Sequence, residues 1–260
     1  MSVFDLSNLT EEQRAITQSA IDAASFDWNL LLPGLQASVG RSYIPVEWTD
    51  LSRWSQAVEN ADGGHAHVHD EGDRGHILGG EFQGRRAALG LAWYSGKISI
   101  EQSLINEPDV AREVFLAEGA HMLDFFYMTG EHRRKIFSVY HEGSEDAHGH
   151  DWFDDQEDVG DPSVRNPDYW SWVGESFMSG FIFAYAPDLP QPLFSRQPWA
   201  HRSSRTIGTQ IREILTPGPP PVVGRPASRV YHKPTCWVAR VWPMVETERI
   251  GRRGCKFCKP

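Results

Sequence analysis

Glu118, His121 and Asp124 stand at positions i, i+3 and i+6 of an otherwise apolar run from Val114 to Phe126. Residues three or four apart share one side of a helix, so Glu118 and His121 can address one point in space. A carboxylate and an imidazole so placed can hold a divalent metal or pass a proton. A hydrolytic zinc site on one helical turn needs two imidazoles four apart, with a glutamate beside the first as general base. This chain has Ala117 at the first of those positions, in the pattern A-E-x-x-H. A second set of donors lies at the C-terminal end: His232 and Cys236 in H-x3-C, then Cys255 and Cys258 in C-x2-C. Four N/S donors in two close pairs are what a closed, tetrahedral structural zinc site requires.

The first set needs a central helix. Asn106 is a candidate N-cap, Pro108 suits the first turn, and Thr129-Gly130 is a stop, so the spacing predicts a helix over 108–128. Val110, Val114, Ala117, His121 and Asp124 fall on one stripe, and Phe115, Leu116, Met122, Leu123, Phe125 and Phe126 fill the remaining sides, the signature of a helix buried all round. Upstream, 87–94 and 96–100 read as a hairpin turning at Ser95-Gly96. Thr10 with Gln13 forms a capping-box pattern for a helix to about Ser25. Leu30 to Pro33 and Tyr43 to Trp48 read as strands or extended pieces. The stretch 62–76 holds His65, His67, His69 and His76 among Gly and Asp and reads as a solvated loop, so no site residue is taken from it.

Beyond the central helix, 132–140 reads as helical and the acidic stretch 142–161 as a loop. An aromatic helix then carries Glu175 as the one formal charge between Tyr169 and Phe183. A carboxylate in such surroundings is expected to be paired or bound to metal. Residues 203–215 suit a short helix, 216–228 a stiff Pro-rich linker, and 229–260 a small zinc-binding module. The expected fold class is α+β, with a body over 1–215 (core 28–187) and the module behind the linker.

The charge of −10 is unevenly spread: from Arg225 to Pro260 there are nine Lys/Arg against two Asp/Glu, a net of +7 that leaves −17 on the preceding 224 residues. An acidic body argues against nucleic-acid binding there and leaves it open for the basic tail. All three cysteines lie in that tail, an odd number suited to metal ligation rather than a disulfide framework. No run is long and apolar enough for a bilayer, and the first residues lack the basic and apolar regions of a signal peptide. The expectation is a cytoplasmic or virion-associated protein.

The order of strand, Glu/His helix, loop and later helix with an isolated glutamate resembles the gluzincin-type metallopeptidases. The closer likeness is to anthrax-lethal-factor-like zincins, whose helix reads H-E-x-x-H-x-x-D followed by an aromatic. Glu118, His121, Asp124 and Phe125 match that pattern, and Glu175, Phe177 and Phe181 match the family's later E-x-F-x-x-x-F helix, over about residues 28–187. The resemblance implies Glu118 as catalytic base, His121 and Glu175 as zinc ligands, Asp124 as a carboxylate outside the metal's own ligands, a peptide substrate, and 96–100 as the strand lining the substrate cleft. The tail is similar to the small zinc domain of Ada-type alkylation-repair proteins, with His232 in place of the first cysteine.

Ala117 leaves three readings open. The body is a zincin-fold pseudoenzyme with a satisfied polar cluster; or a histidine from a His-rich stretch replaces the missing ligand and hydrolysis persists; or Glu118, His121 and Glu175 are ordinary core residues. The competing class is a non-enzymatic structural or adaptor protein, for example a component of a phage particle. For the tail the alternatives are a nucleic-acid partner and an acidic protein surface.

Overall fold

The computed structural model describes residues 3–59, 65–70, 72–82, 85–148, 177–193, 204–216, 222–224, 230–231, 245–247 and 253–254. The chain divides into two compact units, Met1–Leu215 and Thr216–Pro260.

The first unit is built on a six-stranded mixed sheet in the order β1-β2-β6-β5-β4-β3. β1 (Phe4–Asp5), β2 (Ile44–Thr49) and β6 (Lys97–Glu101) run parallel. β5 (Arg85–Trp93), β4 (Asp73–Phe82) and β3 (His65–Asp70) continue the sheet antiparallel. With its helices this makes an α+β architecture. The 87–100 hairpin forms as its alternation predicts. Within the 62–76 stretch, 65–70 and 73–76 are not loop: they belong to β3 and the start of β4, paired rung by rung from His65↔Leu78 to Asp70↔Asp73. Its polar composition hides the period of two, which only cross-strand pairing makes visible.

One sheet face carries Val46, Leu78, Ala92, Ile98 and Ile100 into the main core. The other carries Val68, Ile77, Ala88, Leu91 and Trp93 into a smaller core with Leu51 and Val58. The latter is covered by α3 (Ser55–Glu59). On that side Trp93 Nε1 donates to Ser99 Oγ at 2.9 Å and Ser99 Oγ donates to Glu47 Oε1 at 2.6 Å, tying β5, β6 and β2 together.

α4 (Pro108–Phe126) crosses the first face, and fourteen of its nineteen residues are buried, so it is the central helix. Its start differs from the expected cap: Asn106 lies in a 3-10 turn (Gln102–Asn106), and Glu107 occupies the cap position without a side-chain bond. α1 (Glu11–Ala23) has the predicted capping box, with the Gln13 N–H donating to Thr10 Oγ1 at 3.3 Å and the Thr10 N–H to Gln13 Oε1 at 3.1 Å. Leu30 to Pro33 is helical rather than extended, joining a 3-10 turn (Trp28–Leu31) to α2 (Leu32–Val39). Pro33 sits where a missing N–H costs nothing. α5 (Gly130–His148) runs further into the acidic stretch than its composition suggests. Residues 177–185 form helix α6, followed by α7 (Ser204–Leu215). Arg212 Nε on α7 donates to Ala184 O at 3.0 Å. None of the helices among the described residues is long and apolar enough to cross a membrane.

In the second unit β7 (Val222–Gly224) pairs antiparallel with β9 (Val245–Thr247), and β8 (Val230–Tyr231) pairs parallel with β10 (Arg253–Gly254). The expected linker 216–228 therefore contains a strand of this unit, because its Val222-Val223 pair finds a partner more than twenty residues on.

Candidate functional site around Glu118 and His121

α4 carries its polar residues inward. Glu118 is fully buried, and His121 and Asp124 are each 1% exposed. Two glycines let the helix sit that deep. A Cβ at Gly90 on β5 would lie 2.6 Å from Val114 Cγ1 and 2.9 Å from Glu118 Cγ, and closer still to Glu118 Oε1. The missing side chain is thus a notch in the sheet that the Glu118 carboxyl occupies. About 100° further round the helix a Cβ at Gly119 would lie 2.9 Å from Trp28 Cη2. Gly119, costly in a helix interior for its backbone entropy, is explained by that indole.

His121 points toward β4. Its ring centre is 4.9 Å from that of His76, the planes tilted by 32°. His76 is itself only 2% exposed, and on the sheet it is the register partner of Ala92 on β5 and of His67 on β3. Phe125, one turn along α4, stacks on His121 at 6.1 Å and stands 6.1 Å from His76, and Tyr94 meets Phe125 edge-on at 4.6 Å. Phe125 and Tyr94 are half-buried, so the two imidazoles lie just beneath an aromatic rim.

Asp124 has a different task. Its Oδ1 accepts from Arg133 Nε on α5 at 2.6 Å, and its backbone carbonyl accepts from Arg133 Nη2 at 2.8 Å. The carboxylate side chain is fully buried and the arginine 13% exposed. This bidentate pair fixes α5 against the end of α4. A further buried carboxylate, Glu113, accepts the Leu193 N–H at 2.7 Å and anchors the chain after α6. At the α4–α5 junction the Thr129 N–H donates to His132 Nδ1 at 3.3 Å while the His132 N–H donates to Thr129 Oγ1 at 3.2 Å. Burial holds the His132 imidazole below its ordinary pKa.

Among the described residues no group of three or more His, Cys, Asp or Glu side chains is gathered as a metal ion requires. Glu118 and His121 come together on one helix. Glu175, His232, Cys236, Cys255 and Cys258 lie outside the described residues. The strand 96–100, expected to line a cleft, is β6, paired on both sides within the sheet, so it presents no free edge to a peptide. The sheet's edge on that side is β3. His76 is the residue that sequence reasoning passed over. Its signal was the apolar Ile77-Leu78 directly after it, which marks a buried strand rather than a loop.

Comparison of the chain with protein-family models, curated proteins and solved structures finds no match.

Proposed function

We propose that this chain is a metallopeptidase-like protein: a zincin-related body, impaired as a catalyst by alanine at the first zinc-ligand position, joined to a structural zinc module. The observation that carries the reading is the burial of Glu118 and His121, three residues apart on one side of α4, with His121 stacked against the half-buried Phe125. Apolar residues would fill the same volume without the cost of taking a carboxylate and an imidazole out of water, so the pair points to a polar task rather than to packing alone. In this reading Glu118 is the general base, and His121 and Glu175 are metal ligands. Asp124 positions α4 through Arg133. Zinc, when bound, supplies Lewis acidity and a lowered pKa for water. Catalytic zinc sites use three protein ligands plus water, so the loss at Ala117 weakens the site. The substrate class is an extended peptide.

The tail reading rests on His232, Cys236, Cys255 and Cys258. Its support is the register Tyr231↔Gly254, since His232 and Cys255 are the next residues in sequence after those two partners. A unit so small has little core, and metal binding would supply much of its folding free energy. Its net charge of +7 from Arg225 onward suits nucleic-acid phosphates or an acidic protein surface.

The test measures zinc per chain and cleavage of a mixed peptide library for the wild type and for Ala117→His. The variant is expected to hold more zinc and to gain cleavage, which Glu118→Gln in the same background removes. A folded Ala117→His chain with zinc in the tail alone and no cleavage would instead leave a non-enzymatic adaptor.

A further inference from the structure

We infer that the junction between α4 and α5 is an acid-operated latch, in which His132 caps α5 only while its imidazole is neutral. This device is independent of the metallopeptidase-like reading of the body. The chain builds the same capping box twice, with different acceptors. At α1 the Thr10 N–H donates to Gln13 Oε1 and the Gln13 N–H to Thr10 Oγ1. At α5 Thr129 is the N-cap, its carbonyl accepting from the Arg133 N–H at 3.1 Å, and His132 stands where Gln13 stands in α1. The His132 N–H donates to Thr129 Oγ1 at 3.2 Å, and the Thr129 N–H donates to His132 Nδ1 at 3.3 Å. A glutamine oxygen accepts at any pH. An imidazole nitrogen accepts only while it carries no proton, so Nδ1 is the bare nitrogen of this ring and Nε2 carries the hydrogen. A proton arriving on Nδ1 sets a donor against a donor, and the box opens from that side.

The surroundings favour the neutral form. Burial is the leading cause that holds the imidazole below its ordinary pKa; Lys135 and Arg133 on α5 act in the same direction, and Glu131, paired with Lys135 at 2.8 Å, acts against them. A cation in the first turn also meets the positive end of the α5 dipole. From α4 the Tyr127 ring stacks on the imidazole, centres 5.4 Å apart and planes at 28°; burial pushes its phenol up, so it stays neutral. Asp124 is engaged by Arg133. From α7, Arg212 is taken up by the Ala184 carbonyl and Ser25 Oγ, and Glu213 is exposed. Opening releases the first turn of α5, whose Arg133 grips the end of α4 through the Asp124 carboxylate and carbonyl. Tyr127, against the imidazole, donates from its hydroxyl to Leu215 O at 2.8 Å and so holds the end of α7. One protonation thus bears on three helices.

The test follows backbone amide exchange of the full chain by NMR from about pH 8 to about pH 5, each rate divided by that of an unstructured chain at the same pH, while the His132 ring is titrated in the same samples. The Thr129 N–H is expected to lose protection by about 2- to 30-fold, the range that loss of a helix cap implies. The loss should run in step with protonation of His132, below the ordinary imidazole value of about 6.5. The Thr10 N–H, whose acceptor does not titrate, should keep its protection. His132→Gln should remove the step by making the second box like the first, and His132→Ala should show at the alkaline end the protection that the wild type reaches only at the acid end. Thr129 protection that stays flat while His132 titrates overturns the latch, as does a step that persists in His132→Gln. An equal fall at Thr10 overturns it by marking a general loosening in acid. Wild-type protection at the alkaline end in His132→Ala overturns it as well, because Nδ1 would then not be the acceptor.

Discussion

Gly90→Ala is the perturbation that bears most directly on how α4 meets the sheet. The new methyl would stand 2.6 Å from Val114 Cγ1 and 2.9 Å from Glu118 Cγ, where carbon atoms prefer about 3.5–4.0 Å. Something must shift by roughly 1 Å. Trp28, packed directly against Gly119, limits how far the helix can shift. Overpacking of this kind costs about 1–3 kcal/mol, and displacing the Glu118 carboxyl from its notch adds to it. Against this, alanine restricts the unfolded chain and returns about 0.4–1 kcal/mol. The balance is a loss of about 2 kcal/mol, or a fall in Tm of about 4–8 °C for a unit of this size. Thermal and urea unfolding followed by circular dichroism measure it. Val114→Ala in the same chain removes one of the two contacts and should recover about 1 kcal/mol relative to additivity. A Gly90→Ala protein as stable as the parent, or more so, would mean that Glu118 does not lie against β5, and the site built on it would lose its floor.

Arg133→Ala should cost about 3–5 kcal/mol in urea unfolding, because it strands the buried Asp124 carboxylate, whereas Arg133→Met with Asp124→Leu should come close to the parent; equal losses in both would refute a pair that matters by its charge. The His132 imidazole binds a proton more weakly when folded than when unfolded. Its contribution to stability is therefore full above the ordinary imidazole value of about 6.5 and is lost as pH falls from there through the lower folded value. His132→Gln should flatten the acid side of the stability–pH curve in that window; an unchanged curve would contradict the assignment. Cys255→Ser should release the zinc proposed for the tail, read by metal analysis after dialysis, and leave the thermal unfolding of residues 1–215 unchanged. Stoichiometric zinc in that variant would exclude the proposed ligand set.

Much of the local structure was legible in single residues. Thr10 with Gln13 announced α1, because a capping box is satisfied within four residues. The apolarity of Val114 to Phe126, broken only by Glu118, His121 and Asp124, announced a central helix whatever packs on it. The helix motif itself put Glu118 and His121 on one side, since that depends only on the helical repeat.

What the chain order could not give is anything that depends on which strand lies beside which. Composition made His76 a loop residue; pairing with β5 and β3 made it a buried strand residue facing His121. The family resemblance made 96–100 a cleft-lining strand; two hydrogen-bonded neighbours made it interior to the sheet. Gly90 and Gly119 carried no message alone, and acquired one only when Glu118 and Trp28 were found against them. Short-range hydrogen bonds and helical period are fixed by neighbours in sequence. The facing of a helix onto a strand is fixed by where side chains from distant segments fill the same volume, and a linear pattern does not record that.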